Sequence, residues 1–75
     1  MEKTLPLELR SLRKKCGYKM MDVVARTGID QALLSKFEKG SRLPTDVQLK
    51  RLADCYLLDF SKLKVLALAE KIYKI

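Results

Sequence analysis

Seventy-five residues make a single domain, of a size that buries only about 60% of the surface its unfolded chain exposes, so a partner surface would help to stabilise it. The composition, 48% hydrophobic and 33% charged, excludes disorder, and no run of about 18 apolar residues exists to span a membrane. Sixteen basic against nine acidic residues give a net charge of +7, which favours a polyanionic partner, nucleic acid or an acidic membrane, over a bare solubility excess.

The first ten residues lack the apolar centre and cleavage site of a signal peptide, so a cytoplasmic location is expected. Cys16 and Cys55 fall on apolar positions of predicted helices and are expected to be buried thiols acting as small hydrophobes. Two cysteines with no histidine give neither a zinc site nor the commonest general base. There is also no Gly-rich phosphate loop and no nucleophile–base pair. The chain is therefore not expected to be an enzyme, and no cofactor or metal is expected.

Apolar residues recur at helical spacing throughout and no stretch alternates like a strand, so the fold is all-α with five helices over residues 1–75. Helix 1 is predicted from about Pro6 to Cys16, with Leu9, Leu12 and Cys16 inward and Gly17 as a left-handed stop. Helix 2 is predicted from Met20 to Thr27, with Tyr18, Val23 and Val24 inward and Met20 or Met21 near the surface. Lys19 is a poor N-cap for it. Gly28 turns the chain, and Asp30 caps helix 3, with Ile29 placed to staple against Leu34. Leu34 and Phe37 face the core, whereas Gln31, Ala32, Ser35, Lys36 and Lys39 face outward and Leu33 lies at the margin. That outer face is short, neutral or basic, and rich in hydrogen-bonding groups, as base edges require.

Thr45 and Gln48 form a capping box that opens helix 4, whose stripe is Leu49, Leu52, Ala53 and Tyr56. Asp59 is expected to cap helix 5, from about residue 60 to 75. Leu63, Leu66 and Ala67 of that helix serve the core, with Phe60 beside them. A second seam, Val65, Leu68, Ile72 and Ile75, is spaced three, four and three, a short heptad pattern. It predicts a homodimer; a seam folded back on the domain or covered by another protein is the alternative.

Helix 2, the Gly28 turn and helix 3 have helix-turn-helix organisation. With Leu9-Arg10-Ser11-Leu12-Arg13, Gly28-Ile29-Asp30, Leu34-Ser35-Lys36-Phe37-Glu38-Lys39-Gly40 and Arg42-Leu43-Pro44, the chain resembles the lambda-repressor/Cro-type (XRE) family from Leu9 to about Leu63. The resemblance implies a five-helix, sequence-specific transcriptional regulator that binds double-stranded DNA as a homodimer on a palindromic operator. Its base-reading positions correspond to Gln31, Ala32, Leu33, Ser35 and Lys36. Its phosphate contacts correspond to Lys19, Met20, Lys39, Gly40, Ser41 and Arg42. A protein-interaction module or antitoxin of the same fold, with a toxin or polymerase as partner, is the alternative reading.

Charge placement agrees with DNA binding: residues 1–42 carry ten basic and five acidic side chains, and residues 43–75 six and four. Four residues depart from the family pattern. Met20 replaces a glutamine, Lys19 a serine cap, Val24 a small alanine, and Thr27 an apolar residue. Leu33 is apolar for an outer face, where it either meets a thymine methyl or is half-buried. Arg13 and Glu38 match a pair that ties helix 1 to helix 3, and Lys14, Lys15, Lys50 and Arg51 are expected on solvated faces.

Overall fold

A computed structural model describes the backbone of residues 4–73 and the side chains of residues 4–70. Five helices follow one another: α1 Leu5–Lys15, α2 Met20–Thr27, α3 Gln31–Lys39, α4 Asp46–Cys55 and α5 Phe60–Tyr73, with no strand among the described residues. α1 packs on α3 and α5, while α2 lies between α3 and α4.

Their buried stripes meet in one core. Leu5, Leu9 and Leu12 come from α1, Val23 from α2, and Leu34 and Phe37 from α3, with Ile29 just ahead of α3. Leu49, Leu52 and Ala53 of α4, Tyr56 just beyond it, and Leu63 and Ala67 of α5 complete the core. Burying each such leucine or phenylalanine contributes about 1.5–3 kcal/mol relative to leaving it in water. The face of α3 that carries Leu34 and Phe37 is thereby pinned, and its opposite face is left to solvent.

The helix ends follow local chemistry. Asp30 accepts from the Leu33 N–H at 3.2 Å and starts α3. Thr45 and Gln48 satisfy each other's amides at 3.2 and 2.8 Å and start α4. The start of α1 differs from the sequence expectation, because Thr4 is the cap, its hydroxyl accepting from the Leu7 N–H, and Leu5 is the first helical residue. Pro6 then stands second, where its missing N–H still costs nothing.

The end of α1 also corrects the reading of Cys16. The helix closes at Lys15, with Tyr18 N–H bonded to Arg13 O and Gly17 N–H to Lys14 O, both at 3.0 Å, and Gly17 at φ +73°. These are the paired bonds of a Schellman stop. It leaves Cys16 exposed, while Cys55, at the end of α4, is half-buried. Tyr18 closes that end of the core instead, its ring stacked on Tyr56 at 6.3 Å and covered by the Arg26 guanidinium at 4.5 Å.

α4 ends in the same paired pattern, Leu58 N–H to Ala53 O and Leu57 N–H to Asp54 O. Here the left-handed residue is Leu57, at φ +58° and 92% exposed. Asp59 precedes α5, its carbonyl accepting from the Lys62 N–H at 3.1 Å. On α5, Val65 is 64% and Leu68 45% exposed, whereas Leu66 and Phe60 pack against the core. The Ile72 and Ile75 side chains, the rest of the expected seam, lie outside the described residues.

Candidate nucleic-acid interface

The turn that delivers α3 is held by more than its glycine. Gly28 sits at φ +73°, with its N–H on Val24 O at 2.8 Å, a backbone conformation that a β-carbon makes costly. Thr27, the departure from an apolar residue noted above, is only 5% exposed. Its hydroxyl donates to Val23 O at 2.7 Å and accepts from the Ile29 N–H at 3.1 Å. An apolar residue here would leave that amide without its partner. From α4, the Arg51 guanidinium donates to Thr27 O at 3.4 Å. Arg51 is exposed, as expected of a solvated face, and in addition ties α4 to the turn.

α3 is braced from α1 as expected. Arg13 Nε donates to Glu38 Oε2 at 2.8 Å and Nη2 to Oε1 at 3.1 Å, a bidentate pair, while Nη1 reaches Tyr18 O at 3.2 Å. The hydrogen bond to Glu38 raises the Arg13 pKa above its ordinary value, so the guanidinium stays charged. Glu38 is neutralised within the fold and places no free carboxylate on the outer face.

Gln31, Ala32, Ser35, Lys36 and Lys39 share one side of α3 by helical spacing. Gln31, Ala32, Lys36 and Lys39 are exposed, and Ser35 is half-buried. Leu33 is half-buried and packs against the core, so its side chain serves the fold first. After α3, Gly40 adopts φ +81° with its α-carbon turned toward Pro6, whose ring would lie 3.3 Å from any added β-carbon. Ser41 and Arg42 follow, both exposed. At the start of α2, Lys19 is exposed and its N–H bonds to Asp22 Oδ2 at 2.8 Å. Its side chain caps nothing, and the first-turn amides of a helix point outward in search of an acceptor. Met20 is half-buried against the core, so only its backbone is available to a phosphate.

The electrostatics separate these cations from others. Lys50 pairs with Asp54 and Lys64 with Asp46. Lys19, Lys36, Lys39 and Arg42 form no ion pair among the described residues. Mobile, unneutralised cations can release counterions from a polyanion, the main electrostatic source of affinity for nucleic acid. Near Tyr18, burial pushes the Cys55 thiol and the Tyr56 hydroxyl above their ordinary values. Both stay neutral and belong to the core rather than to a reactive site. No cluster of three or more metal-ligating side chains occurs among the described residues, and none of their helices is long and apolar enough to cross a membrane.

Two residues escaped the sequence reading. A threonine in a helix's last turn can bond back to the carbonyl four residues earlier, which was a usable signal for Thr27. Arg51 had none, because its partner lies 24 positions away on another helix.

No curated protein and no solved structure matches the chain. A family model described as a helix-turn-helix domain matches residues 5–63, from the start of α1 into α5. The order and packing of the five helices are consistent with the lambda-repressor/Cro-type resemblance. The chain belongs to this helix-turn-helix domain family, which points to a DNA-binding regulator.

Proposed function

We propose that the chain is a sequence-specific transcriptional regulator that binds a palindromic operator as a small homodimer, with α3 in the major groove and no enzymatic activity. The observation that carries this reading is the two-sidedness of α3. Leu34 and Phe37 are locked in the core, and the opposite side offers Gln31, Ala32, Ser35 and Lys36, continuing into the unneutralised Lys39 and Arg42. Gln31 has the amide that pairs with adenine N6 and N7, Lys36 donates to guanine O6 and N7, and Ala32 suits a thymine methyl. Lys19, the α2 amides at Met20, and the loop Gly40, Ser41 and Arg42 hold phosphates and set the register.

The exposed Val65 and Leu68 on α5 support the dimer, since a strip of this kind is poorly tolerated in water. A two-fold pair of α3 helices reads half-sites about 34–36 Å apart. The test is selection of bound sequences from a random duplex pool, with the mass of the complex measured. A palindrome with half-sites one helical turn apart, bound by two chains, is the expected outcome. No enrichment over the starting pool would refute base reading.

The same α5 strip also fits a protein partner such as a toxin or polymerase. That reading predicts a partner held through this surface and no salt-sensitive binding of duplex DNA, and a duplex titration at two salt concentrations separates the two.

A further inference from the structure

We propose that Arg51 is a positioning residue for specificity: from α4 it fixes the turn that aims α3, a role that rests on α3 being the DNA-reading helix. Three observations support this. First, Arg51 Nη1 donates to Thr27 O at 3.4 Å and stands 3.6 Å from the position a β-carbon on Gly28 would take. It therefore lies directly against the link between α2 and α3. Second, a cation at the last carbonyls of α2 is favoured by the helix dipole, so the placement stabilises both the turn and the guanidinium. Third, the neighbouring charges on α4 are spent elsewhere, Lys50 on Asp54 and Asp46 on Lys64. Arg51 has no carboxylate partner among the described residues, and its charge stays at the turn.

The Arg13–Glu38 pair holds the far end of α3, so the turn decides where the helix begins. A shift of about 1 Å at Gln31 and Ala32 is more than the distance range of a hydrogen bond tolerates. Thr27 holds the inner side of the turn through its hydroxyl, and Arg51 holds the outer side. Losing Arg51 loosens the aim of α3 while leaving its core face and the phosphate-facing cations in place. Base reading depends on the aim; phosphate attraction does not.

The experiment compares Arg51→Ala, Arg51→Lys and Lys50→Gln with the parent. Lys50→Gln removes the same unit of charge from the same helix. Each protein is titrated with a duplex carrying the selected operator and with a scrambled duplex of equal length, at two salt concentrations. Amide exchange at Ile29 to Leu33 is measured without DNA. Arg51→Ala is expected to lower the ratio of operator to scrambled affinity about 5- to 10-fold and to speed exchange at those amides. Arg51→Lys should restore most of both, and Lys50→Gln should leave the ratio and the exchange unchanged. If Arg51→Ala tracks Lys50→Gln in the ratio and in exchange, the positioning role is overturned while DNA reading stands. If the parent does not prefer its selected duplex at either salt concentration, both this role and the reading beneath it are overturned.

Discussion

Thr27→Val is the sharpest test of how the turn is built. Valine keeps the shape of threonine and removes one oxygen, which carries two bonds: 2.7 Å to Val23 O and 3.1 Å from the Ile29 N–H. Val23 O loses little, because a helical carbonyl already accepts from the amide four residues on. The Ile29 N–H is buried and loses the threonine hydroxyl as its acceptor, a loss that costs about 1–3 kcal/mol. The added methyl returns at most about 0.8 kcal/mol through burial. The expected net destabilisation is therefore roughly 1–2 kcal/mol, and roughly 4–8 °C in Tm for each kcal/mol in a domain of this size. Thr27→Ser keeps the oxygen, loses about 0.8 kcal/mol of methyl burial, and should retain slow exchange at the Ile29 amide. Urea and thermal unfolding followed by circular dichroism, with amide exchange at Ile29, make the comparison. A Thr27→Val protein as stable as the parent, with Ile29 still protected, would refute the claim that the hydroxyl clips the turn.

Five further outcomes are expected. Gln31→Ala and Lys36→Ala should each cost about 1–3 kcal/mol at the operator and relax base preference. Arg42→Ala should weaken all duplexes alike and reduce the salt slope by about 0.9 per charge; titrations against matched and mismatched duplexes distinguish the two classes. Glu38→Ala strands the Arg13 guanidinium, which is only 16% exposed, and should lower stability by roughly 1.5–3 kcal/mol in urea unfolding. Leu57→Gly removes left-handed strain of about 1–2 kcal/mol against a glycine entropy cost of roughly 0.5–1 kcal/mol. Its Tm should rise, and a fall would contradict the strain. The last outcome concerns alkali. Burial raises Tyr56 and Cys55 above their ordinary values of 10.0 and 9.0, so the unfolded chain gives up these protons first. Stability from both groups is complete below about pH 9 and is lost as pH rises through 9–10 and beyond. Thermal melts at stepped pH should show this decline, and Tyr56→Phe should flatten it.

Much of the fold was legible because it rests on local chemistry. Asp30, Thr45, Gln48 and the glycines at 17, 28 and 40 act within a few residues of themselves, so their roles follow from the order of the chain. The outer side of α3 was legible for the same reason: once Leu34 and Phe37 face inward, helical geometry sends Gln31, Ala32 and Lys36 outward. Leu33 and Met20 were harder. Whether a margin residue touches solvent depends on what packs over it, and both lean on the core. Cys16 misled because its spacing continues the α1 stripe beyond the point where Gly17 ends the helix.

Charge, helical period and caps, all read along the chain, thus determined an all-helical domain with a polar, basic outer side on α3. The tertiary structure alone decided which charges remain available and what holds the turn before that helix. Arg13 is consumed by Glu38, Lys50 by Asp54 and Lys64 by Asp46, while Arg51 reaches across to Thr27. Those pairings join residues on different helices, or select one rotamer among several on the same helix. Periodicity carries no information about either, because it places a side chain on a face without saying what the face meets.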